Sequence, residues 1–152
     1  NQVNAPAMAE ERGIEVAETK NASARDFENL VRVTVVAGDV RERVVGTTIG
    51  RRNRPHLLEA WGQRFDVQLD DHLAVFRYED QPGMIGRIGT ALGEAGVNII
   101  SAAVGRRDEV SGGADAERQA VMVVTTDAPV PQEVVDKIVA GGGFFAGRAI
   151  NL

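Results

Sequence analysis

The residues best suited to chemistry lie in the run Tyr78-Glu79-Asp80-Gln81-Pro82-Gly83, followed by Gly96-Val97-Asn98-Ile99-Ile100. An apolar, strand-like segment at 73–78 gives way to a polar turn, and Pro82 then opens a helix-like pattern. Such a turn sets the Asp80 carboxylate beside unpaired backbone N–H groups at a helix N-terminus, where the macrodipole favours an anion. An amino acid is a zwitterion, so a carboxylate and an N–H cluster together match both of its charges. The plainer use of an acid before Pro-Gly is to cap the helix, and the residues alone favour the cap. Asn98 can likewise serve only its own turn, and Tyr78 can be a packing residue with a wet hydroxyl.

Other groupings offer less. Gly83-x-x-Gly86-x-x-Gly89 sits between strand and helix patterns, but the dinucleotide fingerprint G-x-G-x-x-G needs a glycine where Gln81 or Met84 stands. The expected role of Gly86 and Gly89 is close packing of helix on sheet. Arg51, Arg52 and Arg54, with His56 and Arg64 nearby, form a candidate anion site, a solvated basic loop being the commoner use of such residues. His56 and His72 are far apart and show no metal-ligand spacing. No Ser/His/Asp set, Cys/His pair or convergent acid pair is visible, so neither a catalytic nor a metal site is expected.

The 152 residues carry 17 basic and 22 acidic side chains, a net charge of −5, which argues against general nucleic-acid binding. With 43% hydrophobic residues the chain can bury a core. No apolar run is long enough to span a membrane, and residues 1–12 lack the apolar core of a signal peptide. There is no cysteine, which excludes disulfides and thiolate chemistry and fits a cytoplasmic location. A chain that starts at Asn1 is expected to be a piece of something longer.

Residues 5–13 predict a short helix closed by a glycine. Residues 30–37 alternate Val31, Val33 and Val35 with Arg32 and Thr34, the period of a half-buried strand. Gly38-Asp39 predicts a hairpin turn, 40–49 a second strand, and 56–69 further strand interrupted at Gly62. From His72 the pattern changes. A strand at 73–78 precedes a helix with Met84, Ile85, Ile88, Ala91, Leu92 and Ala95 as its apolar stripe, stopped by Gly96. Strand 97–104, a polar loop over 106–119, strand 120–126, helix 129–140 and strand 144–152 complete the order. The fold class is α+β: a ferredoxin-like βαββαβ unit over 72–152, preceded by a small, mostly antiparallel β-rich domain over 1–71.

That order, with Tyr78-Glu79-Asp80-Gln81-Pro82-Gly83 and Gly96-Val97-Asn98-Ile99, makes residues 72–152 resemble an ACT domain. The runs Val3-Asn4-Ala5-Pro6-Ala7-Met8-Ala9-Glu10-Glu11-Arg12-Gly13, Gly46-Thr47-Thr48-Ile49-Gly50 and Gly62-Gln63-Arg64-Phe65-Asp66 extend the resemblance to the regulatory half of the long bacterial D-3-phosphoglycerate dehydrogenase family. Residues 1–71 are then similar to the C-terminal part of its allosteric substrate-binding, or intervening, domain. The resemblance implies a parent enzyme of serine synthesis that oxidises D-3-phosphoglycerate with NAD. Its catalytic domains lie outside this chain, so the chain itself holds no cofactor and has no dehydrogenase activity. It implies a homodimer through ACT domains, a tetramer in the parent being the alternative, and L-serine or a similar amino acid bound between paired ACT domains. By motif position the contacts are Tyr78, Asp80, Gly83 and Asn98. Other family members often carry His or another polar residue at position 78 and Asn at position 80, which leaves the choice of amino acid open. Two other readings stand beside it: a dimerisation module without ligand response, and the regulatory region of an iron–sulfur L-serine dehydratase.

Overall fold

The computed structural model describes residues 4–20, 29–107 and 119–152. Its elements are α1 (Ala5–Glu11), β1 (Val31–Ala37), β2 (Val40–Ile49), β3 (Arg54–Ala60), β4 (Gln63–Gln68), β5 (His72–Glu79), α2 (Met84–Glu94), β6 (Ile99–Val104), β7 (Arg106–Arg107), β8 (Gln119–Thr126), α3 (Gln132–Ala140) and β9 (Phe144–Asn151). They form two sheets, one in the order β1-β2-β3-β4-β7 and one in the order β6-β8-β5-β9, with every neighbour antiparallel. The second order is that of the βαββαβ unit read from the sequence.

The alternation of β5 explains how the layers stack. Side chains of a strand point to opposite faces in turn, and both faces of β5 are covered. Ala74, Phe76 and Tyr78 join Met84, Ile88 and Leu92 of α2 and Val135 and Ile138 of α3 in one core. Leu73 and Val75, with Val121 and Val123 of β8, pack instead against Leu57, Ala60, Phe65 and Val67 of β3 and β4. The result is three layers: helices, the four-stranded sheet, then the five-stranded sheet.

Several expectations change. Pro82 lies in the turn, and α2 begins at Met84 after Gly83, whose φ of 93° lies in the left-handed region. Met84, Ile88 and Leu92 recur every four residues and are buried, whereas Ile85 is exposed. Gly86 and Gly89 do not serve close packing: a Cβ at either would meet nothing within 4 Å, because both sit away from the buried stripe. The helix expected from 129 starts at Gln132, and the strand from 97 at Ile99. Strand β1 is exposed along its whole length. Its valines alternate as read, but β1 is the edge strand at the end of its sheet away from β3 and β4, the strands that pack on the four-stranded sheet, and among the described residues no layer covers them. The segment 56–69 is a hairpin, β3 and β4, turning at Trp61-Gly62, both with positive φ. Of the polar loop expected over 106–119, residues 108–118 lie outside those described. Residues 106–107, however, leave the four-stranded sheet and pair with Gln63 and Arg64 as the last strand of the other.

Candidate functional site

Glu79 ends β5, its N–H donating to the Gly143 carbonyl at 2.8 Å, and the chain then leaves the sheet through Asp80-Gln81-Pro82-Gly83. The left-handed φ of Gly83 turns the backbone into α2, whose first internal bond runs from Arg87 N–H to the Gly83 carbonyl at 3.0 Å. The N-terminus of α2 has no side-chain cap. Asp80 is therefore not the capping residue that its position suggested: it is exposed, and the first N–H groups of the helix keep their capacity for an acceptor.

Tyr78 projects to the helix side of the sheet. It is 2% exposed, its ring 5.9 Å from that of Phe144. The wet hydroxyl expected of a strand-end tyrosine is thus buried, and among the described residues it has no hydrogen-bond partner. Its pKa is pushed up, first by burial and second by the Asp80 carboxylate. A buried hydroxyl without a partner is costly.

Asn98 precedes β6. Its backbone N–H donates to Asp127 Oδ1 at 3.1 Å and its carbonyl accepts from Asp127 N–H at 3.1 Å, so the backbone is held while the side chain is exposed. The strand registers show where it lies relative to Asp80. On β8, Thr126 faces Ile99 and Gln119 faces Glu79. Those positions are seven residues apart, about 24 Å at the rise of a strand. Within one chain, Asp80 and Asn98 sit at opposite ends of the sheet.

The basic residues do not converge as a set. Arg51 and Arg52 occupy the exposed β2–β3 turn; Arg54 donates to Gln68 Oε1 at 3.2 Å, and His56 Nδ1 lies 3.0 Å from the Arg54 carbonyl. Arg64 faces Glu59 near the other end of the hairpin, whereas His56 faces Gln68. Among the described residues no group of three or more His, Asp or Glu side chains could hold a metal ion.

Residue-level reading missed a joint between the sheets. Gln63 is 2% exposed; its Nε2 donates to the Gln119 carbonyl at 2.8 Å and its Oε1 accepts from Val121 N–H at 3.0 Å. Arg77 donates to Gln119 Oε1 at 3.3 Å and stacks over Trp61, its guanidinium carbon 5.9 Å from the ring centroid. The one sequence signal was a polar residue at the start of an otherwise apolar, alternating strand face (Gln63, Phe65, Val67).

Residues 72–140 match the ACT domain family, and residues 1–60 match the D-3-phosphoglycerate dehydrogenase intervening domain. The chain belongs with the regulatory region of D-3-phosphoglycerate dehydrogenases. Curated relatives with that enzyme name include one from Methanocaldococcus jannaschii, 36% identical over 91% of this chain and 24% of the relative. One from Mycobacterium leprae is 36% identical over 99% of the chain and 27% of the relative, and one from Archaeoglobus fulgidus is 30% identical over 100% and 28%. The chain thus spans about a quarter of the length of these relatives. The ACT match runs from β5 to α3, and β1 to β3 fall within the intervening-domain match. Among the described residues no helix is long and apolar enough to cross a membrane.

Proposed function

We propose that this chain senses an amino acid, L-serine first among candidates, at a site completed when two ACT domains pair along β6. The observation that carries the reading is the separation of Asp80 from Asn98 within one chain. Strand β6 is a sheet edge and runs parallel to β5, since both are antiparallel to β8. A two-fold axis that sets β6 antiparallel to its copy brings the N-terminal end of the partner's β6 to the level of this chain's Asp80 turn. Each of the two sites then takes Asp80 from one subunit and Asn98 from the other, and the exposed edge becomes paired.

The roles follow from the chemistry. Asp80 accepts hydrogen bonds from the ligand ammonium, and the uncapped N–H groups at the start of α2 take its carboxylate. The Asn98 amide donates or accepts at the ligand's side chain. Gly83 keeps a Cβ out of the turn, and Tyr78 offers its hydroxyl from below. The name the relatives share supports a D-3-phosphoglycerate dehydrogenase parent over a dehydratase parent; NAD as that parent's cofactor and a cytoplasmic location belong to the same proposal. Ligand binding would then bias that enzyme between states by a coupling of about 1–3 kcal/mol.

The test is titration calorimetry of the dimeric chain with L-serine, glycine and other amino acids. Saturable heat with one of them, lost in Asp80→Ala and in Asn98→Ala while both variants stay folded and dimeric, is the expected result. Absence of heat with every amino acid would leave a dimerisation module and end the sensing claim.

A further inference from the structure

The ACT sheet and the five-stranded sheet touch through more than apolar side chains. Gln63 acts as a piece of strand: its amide bonds both the carbonyl of Gln119 and the N–H of Val121, the same edge-on pattern that a neighbouring strand would make. Directly beside it the chain changes sheets. Strand β6 ends at Val104, Gly105 donates its N–H to the Val121 carbonyl at 2.8 Å, and β7 then pairs with β4. A Cβ on Gly105 would stand 2.6 Å from Gln63 Oε1 and 2.7 Å from Phe65 Cζ, so this crossing is built for glycine. On the β5 side, Arg77 reaches both Gln119 and Trp61 and immediately precedes Tyr78 and the Asp80 turn.

We propose that Arg77, Gln119, Gln63 and Trp61, locked at Gly105, are positioning residues that carry the state of the Asp80 turn into the intervening-domain sheet. Two of the strands involved, β5 and β6, are those that end or begin at the ligand-contacting residues. A ligand that fixes the end of β5 fixes Arg77, one residue from Tyr78. Arg77 in turn holds the Gln119 side chain and the Trp61 ring at the β3–β4 turn. A buried amide bonded through both its N–H and its carbonyl does not slide by fractions of an ångström; it is made or broken, which suits a coupling between two discrete arrangements. For its trigger the inference rests on the amino-acid reading above, and for its mechanics it does not.

The chain carries its own reporters, since it has a single tryptophan, Trp61 in the joint, and a single tyrosine, Tyr78 in the ACT core. In the 152-residue chain, L-serine is expected to change Trp61 emission with the midpoint seen by calorimetry. Arg77→Leu is expected to keep the affinity within about threefold while losing most of that emission change, as a break in coupling without a break in binding requires. Calorimetric binding with no change at Trp61, or an undiminished change in Arg77→Leu, would overturn the proposal. The second measurement needs no ligand: urea unfolding followed by Trp61 fluorescence and by Tyr78 absorbance. Coincident transitions in the unmodified chain that separate in Arg77→Leu, or in Gln63→Leu if it folds, support the joint. Separate transitions in the unmodified chain, or coincident ones in Arg77→Leu, overturn it. If no amino acid binds, the sensing reading fails by calorimetry while the joint still stands or falls on these transitions.

Discussion

At the scale of single residues, Tyr78 shows how environment decides a role that residue type leaves open. Its phenol is buried and its pKa lies above the usual 10.0, chiefly through burial and then through Asp80. A raised pKa means that the folded state keeps the neutral phenol where the unfolded chain would ionise. The stability tied to it is therefore complete below pH 10 and falls as pH rises through the folded value. Because Tyr78 is the sole tyrosine, tyrosinate absorbance reports it alone. The expected midpoint is above 10, moving down in Asp80→Asn but remaining above 10, because burial is the larger cause. A midpoint at the ordinary value would contradict the buried placement. Asp80→Ala is expected to leave folding stability nearly unchanged, within about 0.5 kcal/mol, since no cap is lost. A large drop in the unfolding midpoint would restore the capping role.

At the scale of elements, α2 carries an unusual solvent face. Gly86, Gly89 and Gly93 lie within the helix, and a Cβ at any of them meets nothing within 4 Å. Glycine in a helix interior costs roughly 0.5–1 kcal/mol relative to alanine. Changing all three to alanine is expected to raise stability by about 2 kcal/mol, read as a shift in urea midpoint at unchanged slope. Gly105→Ala should do the opposite. With Gln63 and Phe65 at 2.6–2.7 Å from the new methyl, the expected loss is about 1–3 kcal/mol, again read from denaturant unfolding. The spacing of Met84, Ile88 and Leu92 was legible because a helix buries every third or fourth residue. The role of its glycines was not, since periodicity says which face is apolar and nothing about what approaches the other face.

At the scale of the whole molecule, the two ends of the ACT sheet make the shared-site reading testable by complementation. Chains carrying Asp80→Ala and chains carrying Asn98→Ala are each expected to bind no ligand. Mixed and allowed to exchange subunits, half of the dimers become hybrids, and each hybrid has one site with both Asp80 and Asn98 intact. Calorimetry should then recover about a quarter of the wild-type capacity, whereas a site contained within one chain would recover none.

Much of the order was legible in the chain itself. Alternating valines, Gly-Asp turns and four-residue apolar spacing are local properties, and they gave the βαββαβ order, the β-rich first half and the turn at Asp80. What only the tertiary structure decided depends on residues distant in sequence. Strand register put Asp80 and Asn98 at opposite ends of the ACT sheet, beyond two positions of β8 that are about 24 Å apart, and burial on both faces of β5 made three layers of two sheets. At the far edge of the five-stranded sheet, the β1 valines are exposed among the described residues. The crossing at Gly105 joined Gln63 to β8, a partnership across 56 residues that no local pattern encodes. Local conformational preference acts over a few neighbours in sequence, whereas layer stacking and register are set by which surfaces meet, and that is settled only when the whole chain packs.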